Sequence, residues 1–182
     1  KYLDIISHSS ETLLQIINDI LDTSKIESGK VEIEAVDFVP RKELYNTVKL
    51  FQAKAAEKEI SLSLDYSDSV PPLLHGDILR LKQILSNLLS NAIKFTHDRG
   101  EITCTIGYNE GYLFCSVKDN GIGIAEEKQQ HIFESFAQAD SSIVREYGGT
   151  GLGLTISANL VAMLGGKLDI KSSKGQVSTF AF

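Results

Sequence analysis

The stretch from Asp77 to Thr96, DILRLKQILSNLLSNAIKFT, restricts the fold more than any other part of the chain. At about 100° per residue its periodicity predicts a helix with two unlike faces. Leu81, Ile84, Leu85, Leu88, Ala92 and Phe95 form an apolar side that other elements must cover. Arg80, Gln83, Asn87, Asn91 and Lys94 form a narrow polar stripe. An ordinary solvated face would carry Glu and Lys. Asn is a poor helix former, because its side chain competes for local backbone groups. One such Asn reads as a solvated position. Two, one turn apart and followed by a lysine, read as a site. Carboxamide oxygens suit a hard cation such as magnesium, and a lysine suits the phosphates that the cation bridges.

The chain has 182 residues, enough for one ordinary domain or a smaller one with an appendage. No run is long and apolar enough to span a bilayer, and no signal peptide is visible, so a cytoplasmic setting is expected. A membrane-anchored parent protein is compatible with this, because the chain starts at Lys1 inside a helical pattern and reads as a piece of something longer. The net charge of −6 speaks against a general nucleic-acid surface. Cys104 and Cys115 make neither a disulfide framework nor a zinc site, and read as small buried hydrophobes.

Residues 1–28 read as one amphipathic helix closed by Gly29, with Leu3, Ile6, Leu13, Ile17 and Ile20 in steps of three and four. Such a face fits a helix-bundle seam better than the domain's own core, which can be built without it. Val31 to Phe38 alternates as a short strand. Pro40 opens a helix to about Glu57. Ile60, Leu62 and Leu64 mark a half-buried strand, 68–76 a loop, and Asp77 an N-cap. Glu101–Tyr108 and Tyr112–Asp119 predict a hairpin around Asn109-Glu110-Gly111. A short helix is expected from Glu126 to about Phe133, an apolar helix over Leu154–Leu164, and strands over 167–172 and 176–182. The expectation is an α+β fold, a two-layer α/β sandwich with a mixed sheet of about five strands covered by three helices and preceded by one long helix.

Gly148-Gly149-Thr150-Gly151-Leu152-Gly153 runs straight into a helix. Glycines let the backbone approach closely, and a helix start offers unpaired N–H groups, so the pair makes a phosphate cradle. It is neither a P-loop nor a Rossmann fingerprint, since no Gly-Lys-Ser/Thr follows and no strand leads in. Asp119 ends a predicted strand before the Gly121/Gly123 turn. It can accept from an adenine amino group, or simply close its own turn.

The ordered set matters more than any member. Asn87-Leu-Leu-Ser-Asn91-Ala-Ile-Lys94, Asp119-Asn-Gly121-Ile-Gly123, Phe133-Glu-Ser-Phe136 and Gly149-Thr-Gly151-Leu-Gly153 resemble the N, G1, F and G2 boxes of the histidine protein kinases. Their catalytic domain is shared with DNA gyrase, heat-shock chaperone ATPases and MutL. The match runs from about Pro40 to Phe182. Residues 13–30 resemble the second helix of the dimerisation and phosphotransfer hairpin of hybrid sensor kinases. The resemblance divides the chain into a hairpin part, 1–29, and an ATP-binding catalytic domain, 30–182.

The resemblance also implies roles. Asn91 would be the main magnesium ligand, with Asn87 beside it or bonded to phosphate, and Lys94 would contact phosphate oxygens. Asp119 would recognise the adenine amino group, with Thr179 behind it through water. Gly121 and Gly123 would shape the pocket floor. Gly149, Thr150, Gly151, Leu152 and Gly153 would form the phosphate-side end of an ATP lid, roughly 140–151. Arg145 would reach the terminal phosphate from the lid, and Tyr147 would stack near the nucleotide. Phe133 and Phe136 would start the lid and mainly pack. The implied reaction is transfer of the terminal phosphoryl group of Mg-ATP to a histidine, in a homodimer that serves a response-regulator receiver domain. No contact with nucleic acid or membrane is implied for this segment.

Two departures stand out. The acceptor segment, His with an acidic residue and then Thr/Asn-Pro, is absent: His8 lacks that context, and His75, His97 and His131 read as non-catalytic. Glu146 stands where many relatives carry a second basic lid residue. Two other readings compete. An ATP hydrolase of the gyrase and chaperone branch would carry a Glu at the Asn87 position to activate water, and a carboxamide cannot be a general base. A degenerate kinase acting as a binding or dimerising module would not need both Asn, Asp119 and the glycines.

Overall fold

The structure is a computed structural model and describes residues 2–133 and 151–182. The chain opens with helix α1, Tyr2–Glu27, and reaches α2, Pro40–Glu57, through strand β1, Val36–Phe38. Strands β2, Ser61–Tyr66, and β3, Leu74–Gly76, precede α3, Ile78–Phe95. The hairpin β4, Glu101–Asn109, and β5, Tyr112–Asp119, follows. Then come α4, Glu126–Gln129, α5, Gly153–Met163, and the pair β6, Asp169–Ser173, and β7, Val177–Ala181.

The main sheet has the order β2-β4-β5-β7-β6. Among the described strands only β2 and β4 are parallel, joined by the crossover through α3. That crossover lays α3 across the sheet, between α2 and α5. Its apolar side is sealed: Ile84, Leu85, Leu88 and Leu89 are at most 1% exposed. Opposite them lie Ile102, Cys104, Ile106, Val117 and Phe180, which alternate along their strands onto one face. This is the two-layer α+β sandwich expected.

Local chemistry explains the boundaries. Asp77 caps α3, its Oδ1 accepting from Arg80 N at 3.0 Å. Its Oδ2 accepts from Glu34 N at 3.1 Å, which pins the approach to β1. The β4–β5 turn uses Glu110 and Gly111 at φ of +52° and +91°, the left-handed pair that a two-residue hairpin turn demands. Gly165, at φ +84°, ends α5.

Three expectations need correction. Only Val36–Phe38 of the expected 31–38 strand forms, and it pairs antiparallel with β3 rather than joining the main sheet. Residues 74–76, expected as loop, supply that partner. Phe38 is the one buried side chain of this β1 strand, so little apolar surface exists to extend it. The helix after the G1 turn covers only Glu126–Gln129, with turns to Phe133. Leu13, Leu14, Ile17, Ile20 and Leu21 of α1 remain 45–60% exposed, so the domain core does not consume that face.

Candidate functional site

The site grows from the C-terminal end of α3. Asn87, Asn91 and Lys94 are half-buried along one side of that helix. Asn87 Nδ2 lies 3.3 Å from both Gly153 O and Ser157 Oγ, so the stripe touches the first turn of α5. Burial holds the Lys94 ammonium below its usual range. Such a lysine gains from meeting a phosphate, because pairing offsets its lost hydration. Lys58 Nζ donates to Ile93 O and Lys94 O at 3.0 and 3.3 Å, closing the end of the helix.

The glycine turn after β5 docks on that same end. Ile122 N donates to Phe95 O at 3.2 Å. A β-carbon on Gly121 would run into the Phe95 carbonyl, and one on Gly123 into that of Ser173. Both glycines are therefore demanded by the protein's own backbone. Gly175 N donates to Ile122 O at 2.7 Å, and Ile124 N to Ser172 Oγ at 2.8 Å, so the β6–β7 turn stitches the other side of the loop.

Asp119 sits inside this knot, 4% exposed. Its Oδ1 accepts from Gly121 N at 3.0 Å. No hydrogen bond among the described residues uses its Oδ2. Burial raises the carboxyl pKa, and the Gly121 N–H partly offsets this.

The register sets Thr179, expected behind Asp119, on the other face of the sheet. Thr179 pairs with Lys118 and Lys171, on the face of the sheet opposite to that of Asp119, where it lines an open groove of about 810 Å³ with Glu126 and Gln129 of α4. Ser178 is the residue opposite Asp119, and it is 5% exposed. Proton counting then sets its role. Ser172 Oγ gives its one hydrogen to Val177 O at 2.8 Å, so in its 3.0 Å contact with Ser178 Oγ it must accept. Ser178 therefore donates there. Its signal in the sequence was its spacing of two from Phe180, a core residue.

Gly151, at φ +72°, and buried Leu152 lead into α5. Thr155 Oγ1, one turn in, is buried without a hydrogen-bond partner among the described residues. Gly153 has room for a β-carbon, with Asn87 Cγ 3.9 Å away. Arg145, Tyr147, Gly149 and Thr150 lie outside the described residues, as do Phe136 and Glu146. Among the described residues no cluster of His, Cys, Asp and Glu could hold a metal, and no helix is long and apolar enough to cross a membrane. The donor set does fit a nucleotide with a hard cation: two carboxamides, a desolvated lysine and a buried carboxylate with one oxygen to spare.

Residues 76–182 match the family model of the histidine kinase-, DNA gyrase B- and HSP90-like ATPases. The chain belongs to this family. Among curated relatives, the sensor histidine kinase GacS of Pseudomonas protegens is 44% identical over 98% of this chain and 20% of its own length. The signal transduction histidine-protein kinase BarA of Escherichia coli is 41% identical over 100% and 20%. The circadian input-output histidine kinase CikA of Synechococcus elongatus is 42% identical over 99% and 24%. This ATPase-family chain thus spans at most a quarter of those relatives. Full-length ShkA in complex with AMPPNP superposes with a TM-score of 0.86 at 31% identity, covering 100% of this chain and 37% of that one. Histidine kinase ThkA in complex with response regulator protein TrrA gives 0.73 at 25% identity, covering 100% and 50%.

Proposed function

We propose that this chain is the catalytic part of a hybrid-type sensor histidine kinase, which binds Mg-ATP and passes its terminal phosphoryl group to a histidine on a dimerisation hairpin. The observation that carries this is the meeting of three elements at one point. The end of α3 brings Asn91 and Lys94, the turn after β5 brings Asp119 and docks on Phe95 O, and α5 brings the glycine end against Asn87.

Asp119 Oδ2 would accept from an exocyclic amino group, with Ser178, its partner in register, behind it. Ser178 takes the supporting position first assigned to Thr179. Asn91, with Asn87 one turn before it, would hold magnesium, which when bound neutralises charge on the phosphates. Lys94 would contact phosphate oxygens, and Arg145 would reach the terminal phosphate. Tyr147, Gly149, Thr150, Gly151, Leu152 and Gly153 would border the nucleotide from the lid. Phosphoryl transfer asks mainly for positioning and charge neutralisation, which this set supplies. Asn87 in place of a carboxylate favours transfer over hydrolysis.

Residues 1–29 are read as the second hairpin helix. The uncovered apolar face of α1 supports a homodimeric bundle in the parent protein. The phosphoryl group would then go to a receiver domain. The titration of this chain with ADP and AMPPNP, with and without magnesium, tests the reading. Magnesium-dependent binding lost in Asn91→Ala supports it, and no binding by folded protein overturns it.

A further inference from the structure

Gln83 stands in the N-terminal half of the polar stripe, one turn before Asn87, and the nucleotide reading leaves it unused. Its Oε1 accepts from Arg80 Nη1 at 3.0 Å, which orients the carboxamide. Its Nε2 donates to Asp22 Oδ2 of α1 at 2.7 Å, a short, charge-assisted bond between residues 61 apart in the chain. A polar cavity of about 390 Å³ opens beside this bond, lined by Asn18, Asp22 and Lys25 of α1 and by Gln83, Ser86 and Asn87 of α3. Asn87 therefore faces α1 across this cavity while its amide holds Gly153 and Ser157 of α5.

Hydrophobic burial holds the middle of α1 only in part, since Leu13, Leu14, Ile17, Ile20 and Leu21 stay 45–60% exposed. We infer that Asp22 and Gln83 are positioning residues, a clamp that sets where the hairpin-like helix meets the catalytic stripe and that loosens or tightens as the phosphate end of the site is filled. The coupling rests on the proposed function; the clamp itself does not. Asn87 is the link. Its Nδ2 holds Gly153 O and Ser157 Oγ, so a phosphate or cation that draws on this carboxamide pulls at α5 and at a wall of the cavity beside α1. One charge-assisted hydrogen bond biases such a choice by roughly tenfold to a hundredfold, enough to set a population and weak enough for a ligand to reverse.

Amide hydrogen exchange of α1, read over residues 18–26, tests both parts. Without nucleotide, Gln83→Ala and Asp22→Ala should each speed exchange there by about tenfold. The double variant should exceed neither single. Asp22→Asn, which keeps an acceptor oxygen, should restore most of the protection, and the melting of the domain core should stay put. Exchange in the single variants equal to that of the parent, or strictly multiplicative effects in the double variant, would overturn the clamp. With saturating magnesium and AMPPNP, α1 exchange should change in the parent and stay unchanged in the double variant. An equal response in both would overturn the coupling. Failure of AMPPNP to bind would overturn the functional reading and the coupling with it, while the nucleotide-free comparison decides the clamp by itself.

Discussion

Asp119 accepts a hydrogen bond from the backbone amide of Gly121, 3.0 Å away, through one carboxylate oxygen. Closing a turn and reading a base are thus not rival roles for this residue, because the first uses Oδ1 and leaves Oδ2. The cost is electrostatic. Desolvation dominates, so the folded pKa lies above the ordinary 3.8.

That cost makes the first prediction. Between pH 3.8 and the raised folded value, the native protein binds more protons than the unfolded chain. Stability therefore falls as pH rises through that window, and the charged carboxylate stays a burden at neutral pH. Asp119→Asn lifts the burden and keeps an oxygen for Gly121 N. The variant should melt above the parent at pH 7, with the gap narrowing toward pH 3.8, while nucleotide affinity drops by about 10–100-fold. Calorimetric melts across pH, paired with a binding titration, check both signs.

The glycine turn supplies a second. Gly121→Ala puts a methyl onto the Phe95 carbonyl, and Gly123→Ala puts one onto that of Ser173 at φ +61°. Each should cost about 2 kcal/mol or more, since backbone cannot move aside as a side chain can. Gly111→Ala, at φ +91° in open space, should cost only about 1 kcal/mol of backbone strain. Urea midpoints at constant slope would rank the three, and equal losses would contradict the account.

Lys58 offers a third. Its ammonium caps the last carbonyls of α3 from a separate helix end. Lys58→Met should lose about 1–2 kcal/mol and speed amide exchange in the final turn of α3, next to Lys94. Unchanged exchange there would mean the contact carries no weight.

The cysteines give a fourth. Burial pushes the Cys104 thiol up to about 12 and Cys115 higher still. At pH 8 both thiols are then almost wholly protonated. Neither should react with a thiol reagent in the folded protein, and both should react at once in denaturant. Rapid native labelling would show that the sheet face opens.

Much of this molecule was legible beforehand. The 3.6-residue period located α3 to within a residue, and Asp77 marked its start. The hairpin followed from two alternating runs around a glycine. Register was harder. β7 carries Ser178 and Thr179 side by side, and a slip of one residue exchanges the two faces of a sheet. Only the pairing of Val117 with Phe180 decided that Ser178 faces Asp119. The weak β1–β3 ribbon was missed because three-residue strands carry almost no periodic signal.

The sequence by itself determined the elements whose cause is local: a two-faced helix, its cap, a turn that needs left-handed φ, an amphipathic α1. Tertiary structure alone decided what rests on long-range contact. The Phe95 carbonyl joins α3 to the Gly121 turn, Ser178 rather than Thr179 stands beside Asp119, and Gln83 reaches across to Asp22. Each of these pairs lies far apart in the chain, and no local propensity encodes a partner that only the packing of helices on the sheet brings within hydrogen-bond reach.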